Sequence, residues 1–118
     1  MNIKERFEAM KKTGMEIQRP MVLLGELDEK SAHAHLDGRA AVFAEGALAM
    51  KYKALVALGA AVALDSPMCI QNNVMAAKQA GASKAEIMEA IAVAKFSKSS
   101  TVVSNTAPAL EWLLSQPS

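Results

Sequence analysis

Residues 54–64 read ALVALGAAVAL, eleven in a row with no charge and no hydrogen-bonding side chain. An amphipathic helix shows one apolar stripe and a half-buried strand one apolar face, so a segment that is apolar all round has to be enclosed by protein. The run is far short of the ~20 residues that a membrane-spanning helix needs. It therefore predicts a core helix over about 49–64, placed centrally. The rest of the chain agrees: apolar residues make up 52% of it and aromatics only 4%, the remainder being mostly Ala, Leu, Val and eight Met. That mixture favours closely packed helices over sheets, which draw on β-branched and aromatic residues. The expected fold class is all-α, with 118 residues forming a single domain, 1–118, around one modest core.

Boundary signals divide the chain into helices. Asn2 followed by Glu5 has the spacing of a capping box, opening a helix over about 3–13 that Gly14 stops. Residues 15–27, with Pro20 and Gly25, read as a loose connection or a short helix. From Asp28 a helix is expected up to Gly46, with Gly38 weakening its middle and allowing a bend there. Ser66 suits an N-cap and Pro67 a first helical position, because proline lacks only an N–H that would be unpaired there. That helix should run from Pro67 to Ala80 and stop at Gly81. SKAE at 83–86 is a second capping box, and it opens a helix in which Ile87, Ile91 and Ala94 share one face. The polar and β-branched run SKSSTVVSN at 97–105 predicts a break before a short closing helix bearing Trp112.

Charge and cysteine content exclude several classes. Thirteen Lys and Arg against twelve acids leave a net charge of +1, so there is no field to draw in nucleic acid or an anionic membrane, and neither is expected as a partner. A lone Cys cannot form an internal disulfide, and MNIKERFEAMKK is charged where a secretory signal carries an apolar run; a cytoplasmic protein is expected. His33 and His35, the only histidines, are two apart and project from different helix faces, so no shared metal and no cofactor is expected. The apolar excess at 54–64 and the scattered Met residues predict a homo-oligomer, the alternative being a monomer core filled by adaptable Met side chains.

The stretch DSPMCIQNNV at 65–74 holds the single cysteine, Cys69. The longer run MCIQNNVMAAKQAGASKAEIMEAIAVA, 68–94, resembles the alkylhydroperoxidase D-like, or carboxymuconolactone decarboxylase, family. There a helix begins C-x-x-C-x-x-x-H, continues to A-G-A, and is followed by an acidic E-I-x-E-A-I/L helix. The likeness is carried by CI at 69–70, AGA at 80–82 and EIMEA at 86–90, and KYKALVALGAAVAL resembles the family's preceding helix. It covers about 50–114 and implies a helical bundle of the alkylhydroperoxidase D-like type, assembled as a trimer or hexamer of identical chains. In the family's redox branch a glutamate, two cysteines and a histidine cooperate. The resemblance puts Ala54 at the glutamate, Ser66 at the first cysteine, Cys69 at the second and Asn73 at the histidine.

Each exchange has a chemical consequence. Ser66 cannot close a disulfide with Cys69, so internal resolution of an oxidised sulfur is lost. Asn73 and Ala54 cannot carry a proton, so the built-in base is lost too. What remains is position: Cys69 falls in the first turn of its helix, where free N–H groups and the dipole favour an anion, while Asp65, if near, would oppose one. Asn73 lies on the same face and can donate a hydrogen bond to the sulfur or to a bound oxyanion. Cys69, Ser66 and Asn73 are the candidate catalytic residues. Against this stand simpler readings: Cys69 as a buried small hydrophobe, Ser66 as an N-cap, Asn73 as an ordinary polar residue. Lys51 and Lys53 read as solvated lysines, and Lys98 with Ser99 and Ser100 as an anion-binding turn or a plain polar loop.

By resemblance the expected function is a single-cysteine thiol peroxidase, of peroxiredoxin type, restored by an external thiol. The alternative is a non-catalytic oligomeric relative that binds a small molecule in the former site. A lactone decarboxylase ranks last, because that branch needs a histidine where Asn73 stands.

Overall fold

The computed structural model describes residues 1–118 and is all-helical, with seven α-helices. The helices gather into two compact units, Met1–Ala44 and Glu45–Ser118. Where chain length suggests one core, the buried side chains form two clusters, one in each unit.

The N-terminal unit holds α1 (Ile3–Lys12), α2 (Arg19–Leu27) and α3 (Glu29–Val42). The Asn2–Glu5 capping box is present in both directions, with Glu5 N–H donating to Asn2 Oδ1 at 2.8 Å and Asn2 N–H to Glu5 Oε2 at 3.1 Å. Gly14, at φ +88°, closes α1 as expected. Residues 19–27 are a full helix. Gly25 is no turn residue there but a close-packed one, since a Cβ on it would stand 3.2 Å from both Ile3 and Phe7. Asp28 ends α2 and starts α3, its carboxylate accepting from the Ser31 hydroxyl and N–H; these bonds hold its carboxyl below the usual range. α3 stops at Val42, four residues before Gly46, and Gly38 does not interrupt it. Ile3, Phe7, Ala32 and Leu36 form the core. A polar clamp reinforces it: Ile3 N–H donates to Glu29 at 2.6 Å, and Arg6 donates to His33 Nδ1 at 3.0 Å and to Asp37 at 2.7 Å.

The C-terminal unit holds α4 (Met50–Ala63), α5 (Pro67–Gln79), α6 (Lys84–Asn105) and α7 (Ala107–Leu114). The apolar run does form the central helix: α4 packs against both α5 and α6, and Leu58 is its largest fully buried side chain. Ala54, Leu58, Ala77, Ala82 and Ile87 make the core, with Ile70, Val74 and Ile91 packed around it. So many alanines at the contacts let the helix axes approach closely. Enclosure is incomplete, however, for Val56 on α4 is 65% exposed.

α6 is where the structure departs most from expectation. The predicted break at 97–105 is absent and the helix continues to Asn105. Thr101 and Ser104 donate their hydroxyls back to the carbonyls of Ser97 and Ser100, each at 3.0 Å, which satisfies these side chains inside the helix.

Candidate functional site

The candidate residues surround the corner between α4 and α5. α4 ends in a Schellman motif: Ser66 N–H donates to Ala61 C=O at 3.1 Å and Asp65 N–H to Val62 C=O at 3.2 Å. The motif requires a left-handed residue, which at the end of α5 is Gly81 at φ +97° and here is Asp65 at φ 56°. Aspartate tolerates that conformation better than most side-chain-bearing residues. The chain then turns straight into α5, with Ser66 at the N-cap, Pro67 at the first helical position and Cys69 at the third.

Two expectations for this corner need correction. Cys69 is exposed, so the buried-filler reading does not hold within this chain. Ser66 occupies the cap position, yet its side chain makes no capping hydrogen bond. The first helical bond is Ile70 N–H to Ser66 C=O at 2.9 Å, which leaves the N–H groups of Met68 and Cys69 ahead of the ladder, beside the thiol. Along this face of α5, Cys69 is exposed, Asn73 half-buried and Ala77 fully buried, so the stripe descends from solvent into the core.

The other members fall elsewhere. Ala54 is wholly buried among Leu58, Ala77, Ala82 and Ile87, and its position admits no ionised side chain without a buried partner. Lys98, Ser99 and Ser100 lie on α6 and form no turn. Lys98 instead pairs with Asp65, so the carboxylate expected to oppose an anion at Cys69 has a cation beside it. That pairing joins residues 33 apart, and no spacing rule points to it. Lys51 bonds Glu86 at 3.0 Å and is raised above the ordinary lysine range by it. Glu86 is lowered, first by the Ser83 N–H it caps and then by Lys51. Lys53 is half-buried. In the N-terminal unit His33 serves the polar clamp and His35 is exposed. No three His, Cys, Asp or Glu side chains converge as a metal site would require, and no helix is long and apolar enough to cross a membrane. A depression of about 350 Å³, lined by Asn2, Ile3, Lys4, Gly25, Glu26 and Glu29, belongs to the N-terminal unit and not to the corner.

The model of the carboxymuconolactone decarboxylase family matches residues 29–112, a span that includes the corner and α4, α5 and α6. A Paracoccus denitrificans protein described as "uncharacterized protein 4 in cox locus" is 45% identical over 53 residues, 45% of this chain and 48% of that protein. The match thus spans about half the length of that relative.

Proposed function

Because this chain belongs to the carboxymuconolactone decarboxylase family, we propose that it is a thiol peroxidase that works with one cysteine, Cys69. One observation carries the reading: an exposed thiol in the first turn of α5, with two backbone N–H groups next to it and the neighbouring carboxylate held by Lys98. The Cys69 thiolate attacks the O–O bond of a hydroperoxide; an S–O bond forms, the O–O bond breaks, and an alcohol or water leaves with a proton. The sulfenic acid condenses with an external thiol, releasing water and leaving a mixed disulfide. A second external thiol then attacks the mixed disulfide, releasing the Cys69 thiol while the two external sulfurs leave as a disulfide. Ser66 takes no part in that resolution. Asn73, one turn on, donates to the departing oxygen. The protein works in the cytoplasm as a homo-oligomer. The test is thiol-dependent consumption of hydrogen peroxide by purified protein, with Cys69→Ser beside it: turnover should vanish in the variant, and turnover that survives there sinks the proposal.

The second reading, an oligomeric relative without catalysis, is favoured by an alanine, fully buried, at position 54, where the redox branch of the family has a glutamate. It binds a small molecule at the corner. Robust turnover lost in Cys69→Ser would reject it.

A further inference from the structure

Glu29, His33 and Asp37 recur every four residues along α3 and so share one face, the face that meets α1. Arg6, from α1, lies across them. One guanidinium nitrogen donates to His33 Nδ1 at 3.0 Å and to the His33 carbonyl at 3.4 Å, and the other donates to Asp37 Oδ1 at 2.7 Å. An arginine side chain has N–H donors only, so the ring nitrogen it approaches has to offer a lone pair. That fixes the ring: Nδ1 is bare, and the one proton of the neutral imidazole sits on Nε2. Nε2 is 3.6 Å from Glu29 Oε1, too far for a hydrogen bond but within reach of a charge. The same Oε1 accepts the Ile3 N–H at 2.6 Å. Ile3 is the first residue of α1, where an N–H has no carbonyl one turn earlier to bond. Guanidinium, imidazole, carboxylate and helix start thus form one connected row. The His33 and Arg6 side chains in it are only 26% and 23% exposed, which leaves little water to separate them.

We infer that this row is a pH-sensitive latch between α1 and α3: a proton on His33 expels Arg6 from the ring and draws Glu29 away from the start of α1. The proton goes to Nδ1, the one free lone pair. There it points at a guanidinium 3.0 Å away, donor against donor and cation against cation. The contact cannot hold, and Arg6 keeps only Asp37, in a pair that contributes little because Asp37 is 69% exposed. At Nε2 the new charge attracts the Glu29 carboxylate into a charge-assisted hydrogen bond, at the expense of Ile3 N–H. The loss at one nitrogen is offset at the other, so partners are exchanged while the unit stays folded. Ile3 and Phe7 keep their apolar packing with Ala32 and Leu36 throughout. Of the other charged groups on the packed helices, α2 brings Arg19 and Glu26, and neither pairs with the ring. The latch lies in the N-terminal unit and takes no part in the thiol chemistry, so the failure of either reading leaves the other standing.

The test is NMR of the full-length chain between pH 8 and 5, a range that spans the ordinary histidine value of about 6.5 and stays above the ordinary carboxylate values. At pH 8 the His33 ring should show a bare Nδ1 and a protonated Nε2. The Ile3 amide proton, downfield while it bonds a carboxylate, should move upfield as pH falls, with the same midpoint as the His33 ring. In His33→Asn, whose amide oxygen falls near the Nδ1 position and takes no proton, that movement should be lost while helicity by circular dichroism is retained. His35→Gln, at an exposed ring, should leave the movement intact. Glu29→Gln keeps an oxygen for Ile3 N–H without the charge that a protonated His33 attracts, so there too the Ile3 amide should no longer follow the ring; this variant decides alone if His33→Asn loses helicity. A proton on Nδ1 at pH 8 overturns the assignment of the ring. An Ile3 amide that ignores pH in wild type, that follows it equally in His33→Asn or Glu29→Gln, or that stops following it in His35→Gln overturns the latch.

Discussion

Both halves of α6 carry large apolar side chains, although the second is richer in serine and threonine, and those side chains meet different fates. Lys84–Ala94 buries Ile87 and Ala94 and packs Ala90 and Ile91 against α4 and α5. Lys95–Asn105, with Phe96, Val102 and Val103 exposed, has α4 beneath it only as far as Lys98, and α7 after it buries nothing. Hydrophobicity alone therefore does not decide burial. What decides it is whether another helix lies alongside, and α4 ends at Ala63, just before the Asp65 that Lys98 pairs with.

The sharpest way to break this contrast is to make one substitution in both regions. Leu58→Ala should cost about 2–5 kcal/mol in urea unfolding, because it empties a fully enclosed site. Leu113→Ala, at a 60% exposed position on α7, should change stability by no more than about 0.5 kcal/mol. A comparable loss at both positions would mean that α7 is packed within the chain after all.

A smaller effect tests how the first half of α6 is anchored. Ser83→Ala removes the cap from Glu86 N–H, a 3.0 Å bond, and should cost about 1 kcal/mol. Its acid side carries a sign. Glu86 sits lower in the folded chain than its ordinary 4.5, so its contribution is complete above that value and is lost as pH falls through the lowered one. Acid unfolding curves of wild type and Glu86→Gln should diverge above that window and converge below it. Lys51, raised by the same contact, contributes below its ordinary 10.5 and loses that contribution as pH rises past it.

The smallest change is expected at the corner. Asp65→Asn keeps a side chain suited to the left-handed turn and removes only an exposed ion pair, so stability should shift by about 0.5 kcal/mol or less. Iodoacetamide labelling of Cys69 should nevertheless respond, since the substitution changes the charges beside the thiol. Unchanged labelling would show that the Lys98–Asp65 pair has no influence on it.

Much of the fold was legible because its signals are local. Asn2 with Glu5, and Ser83 with Glu86, fix helix starts by bonds spanning three residues, and Gly14 and Gly81 mark ends by a conformation that glycine adopts at little cost. The run 97–105 misled for a local reason too: its serines and threonines favour breaks in general, but here two of them bond back into the helix. The candidate residues could be placed along the helices from the sequence, but their setting could not. Cys69 could be placed at the head of α5 from Ser66 and Pro67, whereas its exposure, the idle Ser66 side chain and the Lys98 partner of Asp65 depend on where α6 passes.

By itself the sequence determined an all-helical chain, the ends of most helices and the family to which its corner belongs, since caps and apolar runs act over a few residues. Only the tertiary structure decided that the buried side chains form two clusters, that Ala54 is sealed and Cys69 open, and that residues 101–118 stay exposed. Burial is a property of neighbours brought together across tens of residues, and register between helices, not composition along them, sets which neighbours those are.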